Sequence, residues 1–207
     1  MAAASLHETL AKYIPRESID IVSEWILHHK IKVTITKTRT TKYADYRPPQ
    51  NGIGHRITIN HDLNRYAFLI TFTHEMAHLK TWLIHKNLVN PHGEEWKREF
   101  KLLLHPLLHH SIFPADIIHA LKNYLLDPAA SSCTDLNLSR VLKNYDKDTD
   151  QTVHLEEIPF KSIFVLDNGK VFRKDKLMRK RFKCTEIKTG KIYLVSPIAE
   201  VRVIKET

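Results

Sequence analysis

His74, Glu75 and His78 sit in the run Phe68-Leu69-Ile70-Thr71-Phe72-Thr73-His74-Glu75-Met76-Ala77-His78-Leu79, which has helical composition and no Gly or Pro. Positions four apart share a helix face, so two imidazoles at 74 and 78 can grip one zinc ion. Glu75, one step on, then points a carboxylate at a water held on that metal. The chemistry this spacing suits is zinc-assisted hydrolysis of a peptide bond. The chain carries its own decoy, because His105 and His109 repeat the spacing, but Pro106 stands where the base should be and no carboxylate is near. That pair reads as part of an ordinary helix face.

A catalytic zinc takes three protein ligands and keeps one position open, so a third ligand must come from beyond the first two turns. A scheme with a glycine at position 81 and a histidine at 84 is excluded, since the chain has Thr81 and Ile84. A glutamate from a later helix leaves Glu94, Glu95 or Glu99. A third scheme uses His92, in Asn90-Pro91-His92-Gly93-Glu94-Glu95-Trp96, where Pro91 and Gly93 make an irregular turn that lets His92 swing back. His85 shares a face with His78, but the helical rise sets it roughly 10 Å along the axis, too far to share one ion.

Those residues carry a resemblance. Thr71-Phe72-Thr73-His74-Glu75-Met76-Ala77-His78, followed by His92-Gly93-Glu94-Glu95-Trp96, resembles the SprT-like zinc metallopeptidases over roughly residues 5–110. The resemblance implies a zincin-like metallopeptidase fold, one catalytic Zn2+ on His74, His78 and His92, and Glu75 as general base. The family includes proteases that degrade proteins crosslinked to DNA, so it also implies a protein substrate, DNA binding and a place in DNA repair.

The elements that must position these residues read as α+β. Helices are predicted over Leu6–Tyr13, Arg16–His29, about Glu94–His109 and about Pro114–Leu126, and one capped by Thr134 or Asp135 runs to about Tyr145. Strands are predicted at 32–36, 43–47 and 55–60 ahead of the metal helix. The strand 55–60 is the candidate edge along which an extended substrate would lie, and His55 or Tyr46 could donate to a transition state. Trp25 and the stripe of Trp96, Phe100, Leu103 and Leu104 read as core.

Residues 1–145 form the expected peptidase domain and the polar stretch 146–158 a linker. Asp146, Asp148 and Asp150 alternate like the start of a calcium loop and Glu157 matches its twelfth position, but Gln151 replaces the obligatory glycine, so a solvated linker is the better reading. Residues 159–207 hold thirteen Lys/Arg against five Asp/Glu, a net of +8, whereas residues 1–158 are almost balanced. Strands at 162–166, 170–173, 179–187 and 191–196, with turns at Asp167-Asn168-Gly169 and Lys188-Thr189-Gly190, make this a small antiparallel β module. Family members often end in a zinc ribbon. This module resembles one without its metal, since Cys184 has no partner cysteine at Ile187. Packing by Phe172, Phe182, Tyr193 and Val195 must hold it instead.

The basic segment Arg173 to Lys183, with Phe172, Phe182 and Tyr193 as stacking surfaces, is the expected contact for nucleic acid, DNA by the resemblance. Only Cys133 and Cys184 are present, which disfavours a disulfide framework. No run approaches the roughly 18 to 20 apolar residues of a membrane span. The start Met1-Ala2-Ala3-Ala4-Ser5-Leu6 lacks a basic segment before an apolar one, so the expectation is a cytoplasmic chain. Two other readings compete with the peptidase: a non-catalytic nucleic-acid-binding protein with a structural metal helix, and a non-peptidase zinc hydrolase. Glu75 argues against the first, because a structural zinc needs no base.

Overall fold

Asn64 starts the helix on which the site is built. Its Oδ1 accepts from the backbone N–H groups of Tyr66 (3.1 Å) and Ala67 (2.9 Å), satisfying two of the four donors a helix start leaves open. Its Nδ2 donates to Leu142 O (2.9 Å) and Asp146 Oδ1 (2.7 Å), tying the helix start to the end of a later helix. The structure is a computed structural model, which describes residues 3–39, 42–126, 128, 135–146 and 152–204. They divide into two compact units, Met1–Asp146 and Lys147–Thr207. Cys133, Asp148 and Asp150 lie outside the described residues.

The first unit runs α1 (Ala3–Leu10), α2 (Ile19–His28), β1 (Lys32–Thr36), β2 (Ala44–Arg47), β3 (Arg56–Asn60), α3 (Arg65–His85), α4 (Glu94–Leu104), α5 (Ala115–Tyr124) and α6 (Leu136–Lys143). It is the expected mixture of helices and a small sheet. Short 3-10 turns at Arg16–Ser18 and His105–Leu107 take the ends predicted as α-helix. At the second, Pro106 lacks the N–H and restricts the residue before it, so the α4 ladder stops at Leu104. His109 therefore lies beyond the helix, where its Nδ1 is 2.9 Å from Ser111 Oγ. Asp135 caps α6 through bonds from Asn137 N and Leu138 N.

α3 is buried on every side from Ala67 to Leu79 except at His78, and its interior hydroxyls are satisfied locally. Thr73 Oγ1 donates to Leu69 O and Thr81 Oγ1 to Ala77 O, each at 2.8 Å. Phe68, Phe72, Trp96, Phe100 and Phe113 fill the core around it, with Trp96 and Phe100 stacked 5.1 Å apart. Burying such rings contributes roughly 1.5–3 kcal/mol each, and it is this packing that fixes where α3 and α4 meet.

The three strands are ordered β1-β3-β2, with β1 parallel and β2 antiparallel to β3. The central strand is thus 56–60, which corrects the expectation that 55–60 is an open edge. The chain enters through β1, passes to the far side for β2 and returns between them, and both edges of β3 are consumed. The open edge near α3 is β2. Asn60 N donates to Tyr43 O (2.9 Å), and pairs alternate in an antiparallel ladder, so the N–H and C=O of Ala44 and Tyr46 point away from β3.

The second unit is a six-stranded sheet ordered β4-β9-β5-β6-β7-β8, from β4 (Val153–His154), β5 (Ile163–Val165), β6 (Val171–Met178), β7 (Arg181–Glu186), β8 (Ile192–Val195) and β9 (Glu200–Val203). Its turns at Gly169 (φ 76°) and Gly190 (φ 69°) use the left-handed region that glycine enters freely. Residues 153–158 are part of this unit, not a linker. Val153 pairs with Val201, and Leu155 and Ile158 are buried with Phe164, Phe172, Phe182, Cys184 and Val201. The polar composition that suggested a linker hides two apolar residues held by a cation. Lys174 is buried, and its Nζ donates to Leu155 O (2.7 Å), Glu156 O (3.2 Å) and Ile158 O (2.6 Å), 4.0 Å from the Phe182 ring centroid. Asp146, in turn, is occupied by Asn64 and Lys143.

Candidate metal centre

Two elements bring three imidazoles together. His74 and His78 lie one turn apart on α3, and His92 sits in the turn before α4, where Gly93 N donates to Asn90 O (3.0 Å) and closes a four-residue reversal. A Cβ at Gly93 would stand 3.1 Å from Glu95 Oε2 and 3.4 Å from Asn90 O, so the tight turn leaves little room for a side chain. His74 Nε2 is 3.2 Å from both His78 Nε2 and His92 Nε2, and the three ligand atoms lie within 4.8 Å of one another. Among the described residues this is the one such cluster of potential ligands.

The spacing fits a metal better than it fits hydrogen bonding. Tetrahedral zinc with bonds of about 2.0–2.1 Å sets its nitrogens about 3.3 Å apart, close to the separation seen here. His74 Nε2 carries either one lone pair or one N–H, which would otherwise have to be shared between both neighbours. All three rings are held neutral, as ligands must be. Burial, reinforced by His78 and His92, lowers His74 to about 3. Burial and His92 lower His78 to about 4, and burial lowers His92.

Glu94, Glu95 and Glu99 stay out of the cluster. Glu94 is exposed and paired with Lys97 (2.9 Å), and Glu99 lies 3.5 Å from Arg98 Nε. His85 is also outside it. The His74 ring is held by aromatic contact, 4.6 Å from Trp96 and 6.0 Å from Phe100 between centroids. Its Nδ1 and Trp96 Nε1 are buried with no hydrogen-bond partner among the described residues. The orientation of the His74 ring is therefore set by packing rather than by an acceptor behind the ring.

Glu75 is buried, and burial pushes its carboxyl up to about 7. Against that, it accepts a hydrogen bond from the backbone N–H of Tyr46, one of the outward-facing groups of β2; Asp45 acts to raise it further, while Lys42 and Arg39 lower it. Sequence reasoning missed this contact, because an amide 29 positions upstream leaves no trace in side-chain spacing. It also missed the network that fixes β2. Asp45 accepts from Arg39, from Lys42 (3.1 Å) and from Arg47 Nε (2.9 Å), and Arg39 Nε reaches Asn60 Oδ1 (2.9 Å).

Tyr46 and His55 come together, with Tyr46 Oη 2.8 Å from His55 Nδ1. His55 meets Trp82 edge-on at 5.4 Å, and Trp82 lies one turn beyond His78 on α3. Burial raises the Tyr46 phenol, and burial followed by Lys86 lowers His55, so both are neutral near pH 7 and the phenol is a proton donor.

A family model described as the SprT-like family matches residues 6–113, more than half of the 207-residue chain. The chain belongs to the SprT-like family. Its matched region contains all three clustered histidines and Glu75 and stops before α5. Neither the curated proteins nor the solved structures gave a match. No helix among the described residues is long and apolar enough to cross a membrane.

Proposed function

We propose that this SprT-like chain is a zinc-dependent peptidase with a zincin-like catalytic unit, whose substrates are proteins bound or crosslinked to DNA. The observation that carries the catalytic reading is the convergence of three neutral Nε2 atoms beside a carboxylate already hydrogen-bonded to an open strand edge. His74, His78 and His92 hold the ion. Bound there, zinc supplies Lewis acidity to the scissile carbonyl and makes water acidic enough to lose a proton near neutral pH. Glu75 takes that proton on its carboxylate and delivers it to the departing amine nitrogen. The outward C=O and N–H groups of Ala44 and the C=O of Tyr46 bind an extended substrate backbone. The Tyr46 phenol and His55, beyond His78, are the side chains available to donate to developing charge.

The DNA-linked substrate class is supported by family membership and by the concentration of positive charge in the second unit, whose residues 159–207 carry thirteen Lys/Arg against five Asp/Glu. On this reading the unit stands where family members often carry a zinc ribbon and does without the metal; Cys184 is buried in its core, and burial pushes the thiol up to about 11.

Glu75→Gln is expected to retain one zinc per chain by elemental analysis and to lose cleavage of a DNA-bound protein by about 10²- to 10⁴-fold. His92→Ala should lose the zinc itself. Wild-type cleavage by Glu75→Gln would sink the mechanism.

A further inference from the structure

The second unit presents cations that its own fold does not use. Strand alternation buries Phe172 and Lys174 and turns Arg173 and Asp175 outward. The ladder between β6 and β7 then slips between Lys174 and Leu177, and this bulge leaves Lys176 on the same outward face. Arg173 is paired with Thr185 across the ladder, which brings Lys183 and Thr185 to that face too. Together with Phe160 and Lys161 they line an open cleft of about 520 Å³.

Charge in this cleft is not balanced. Its one carboxylate, Asp175, is taken up by Arg173 Nε (3.0 Å) and Thr185 Oγ1 (2.6 Å). Lys161, Lys176 and Lys183 have no carboxylate within ion-pairing distance among the described residues. Arg179, Lys180 and Arg181, all exposed at the adjoining β6–β7 turn, extend the positive charge along the hairpin.

The cleft also offers a ring, but not one of those the sequence suggested. Phe172 and Phe182 are core residues, and Tyr193 is partly buried, engaged by Glu186 and Lys170. Lys174 likewise leaves the basic segment for the interior. Phe160 is 58% exposed, with its ring 6.1 Å from Phe182 and 5.2 Å from the Lys174 ammonium. It is supported from within and open outside.

We propose that this cleft binds single-stranded nucleic acid, with phosphates on Lys161, Lys176 and Lys183 and one unpaired base stacked on Phe160. A duplex keeps its base faces closed by stacking, so only an unpaired strand uses both the ring and the lysines. The proposal deepens the reading of the second unit as the nucleic-acid-facing part and is independent of the catalytic chemistry.

The test uses the full chain, fluorescently labelled oligo(dT) of twenty nucleotides and anisotropy across a salt series. Removing three phosphate contacts in a Lys161→Ser, Lys176→Ser, Lys183→Ser variant should reduce the slope of log K against log[salt] by about 2, at roughly 0.7 per single-strand contact. Phe160→Ala should weaken binding roughly 5- to 150-fold, the span of one base stack, and Phe160→Trp should restore it. Thermal melts of each variant should match wild type, since every altered side chain is exposed or half-buried. An unchanged slope in the lysine variant, an unchanged affinity in Phe160→Ala, or a twenty-base-pair duplex binding as tightly as the single strand would each overturn the proposal. Cleavage of an unstructured peptide without oligonucleotide should be the same in the lysine variant and wild type. A wild-type chain that cleaves the peptide but ignores oligo(dT) therefore refutes the cleft and leaves the peptidase standing.

Discussion

Proline at position 46 separates the backbone amide that holds Glu75, the proposed base, from the side chain beside it. The ladder bonds pairs 43/60, 45/58 and 47/56, so the Tyr46 N–H is not part of it and proline costs β2 no bond to β3. What it removes is the hydrogen bond to Glu75. Tyr46→Pro also deletes the phenol, its bond to His55 and its packing on the core. Tyr46→Ala deletes those and keeps the amide, so the ratio of the two variants isolates the N–H. A hydrogen bond to a charged group contributes about 1.5–3 kcal/mol, which places kcat for Tyr46→Pro roughly 10- to 150-fold below Tyr46→Ala. The assay is initial-rate cleavage of a fluorescence-quenched, unstructured peptide by zinc-loaded protein, with zinc stoichiometry and thermal melts run on both variants. Equal kcat values would refute the idea that the β2 amide positions the base. A raised KM at constant kcat would reassign that amide to substrate binding.

Three further outcomes follow from packing and charge. Asn64→Ala should cost the first unit about 2–4 kcal/mol, from the lost cap and the two lost Nδ2 bonds, and Asn64→Ser should recover about 1 kcal/mol by restoring the cap alone; denaturant melts measure both. Lys174→Met leaves the carbonyls of Leu155 and Ile158 without their donor and should destabilise the second unit by about 2–4 kcal/mol, read as early hydrogen exchange in residues 153–165 with zinc content unchanged. For Asp45, burial alone would raise the carboxyl, but hydrogen bonds from Arg39 and Lys42 outweigh it and hold it low. Its stabilising contribution is thus present above the unfolded value of about 3.9 and fades as pH falls through the folded one. Asp45→Asn should flatten the acid limb of the melting curve below about pH 4, and an unaltered acid limb would contradict the assignment.

How far the site could be read from sequence tracks how local each interaction is. His74, Glu75 and His78 are legible because helical period alone puts them together. His92 is marked by the Pro91 and Gly93 turn, but its choice over Glu94, Glu95 and Glu99 needed the family resemblance. Strand order was not legible, because β1 pairs with β3 rather than with β2, its neighbour in sequence, and nothing in the residues 44–47 or 56–60 says which will be enclosed. The same limit applies to Phe160 and Phe182. Both are aromatic residues in a basic segment, and only the alternation of β7 against the 153–158 segment decides that one is core and the other surface. Lys174 reads as one of a row of surface cations until three carbonyls from 155–158 close around it.

The bond between Tyr46 and Glu75 ties the proposed proton acceptor to the same strand that would align a substrate. Outward groups recur on β2 every second residue, roughly 6.8 Å apart. On the peptidase reading, a peptide added to β2 meets the base at a fixed count along its own backbone. The strand then acts as a ruler, selecting the bond to be cut by distance and leaving the side chains on either side of it unread.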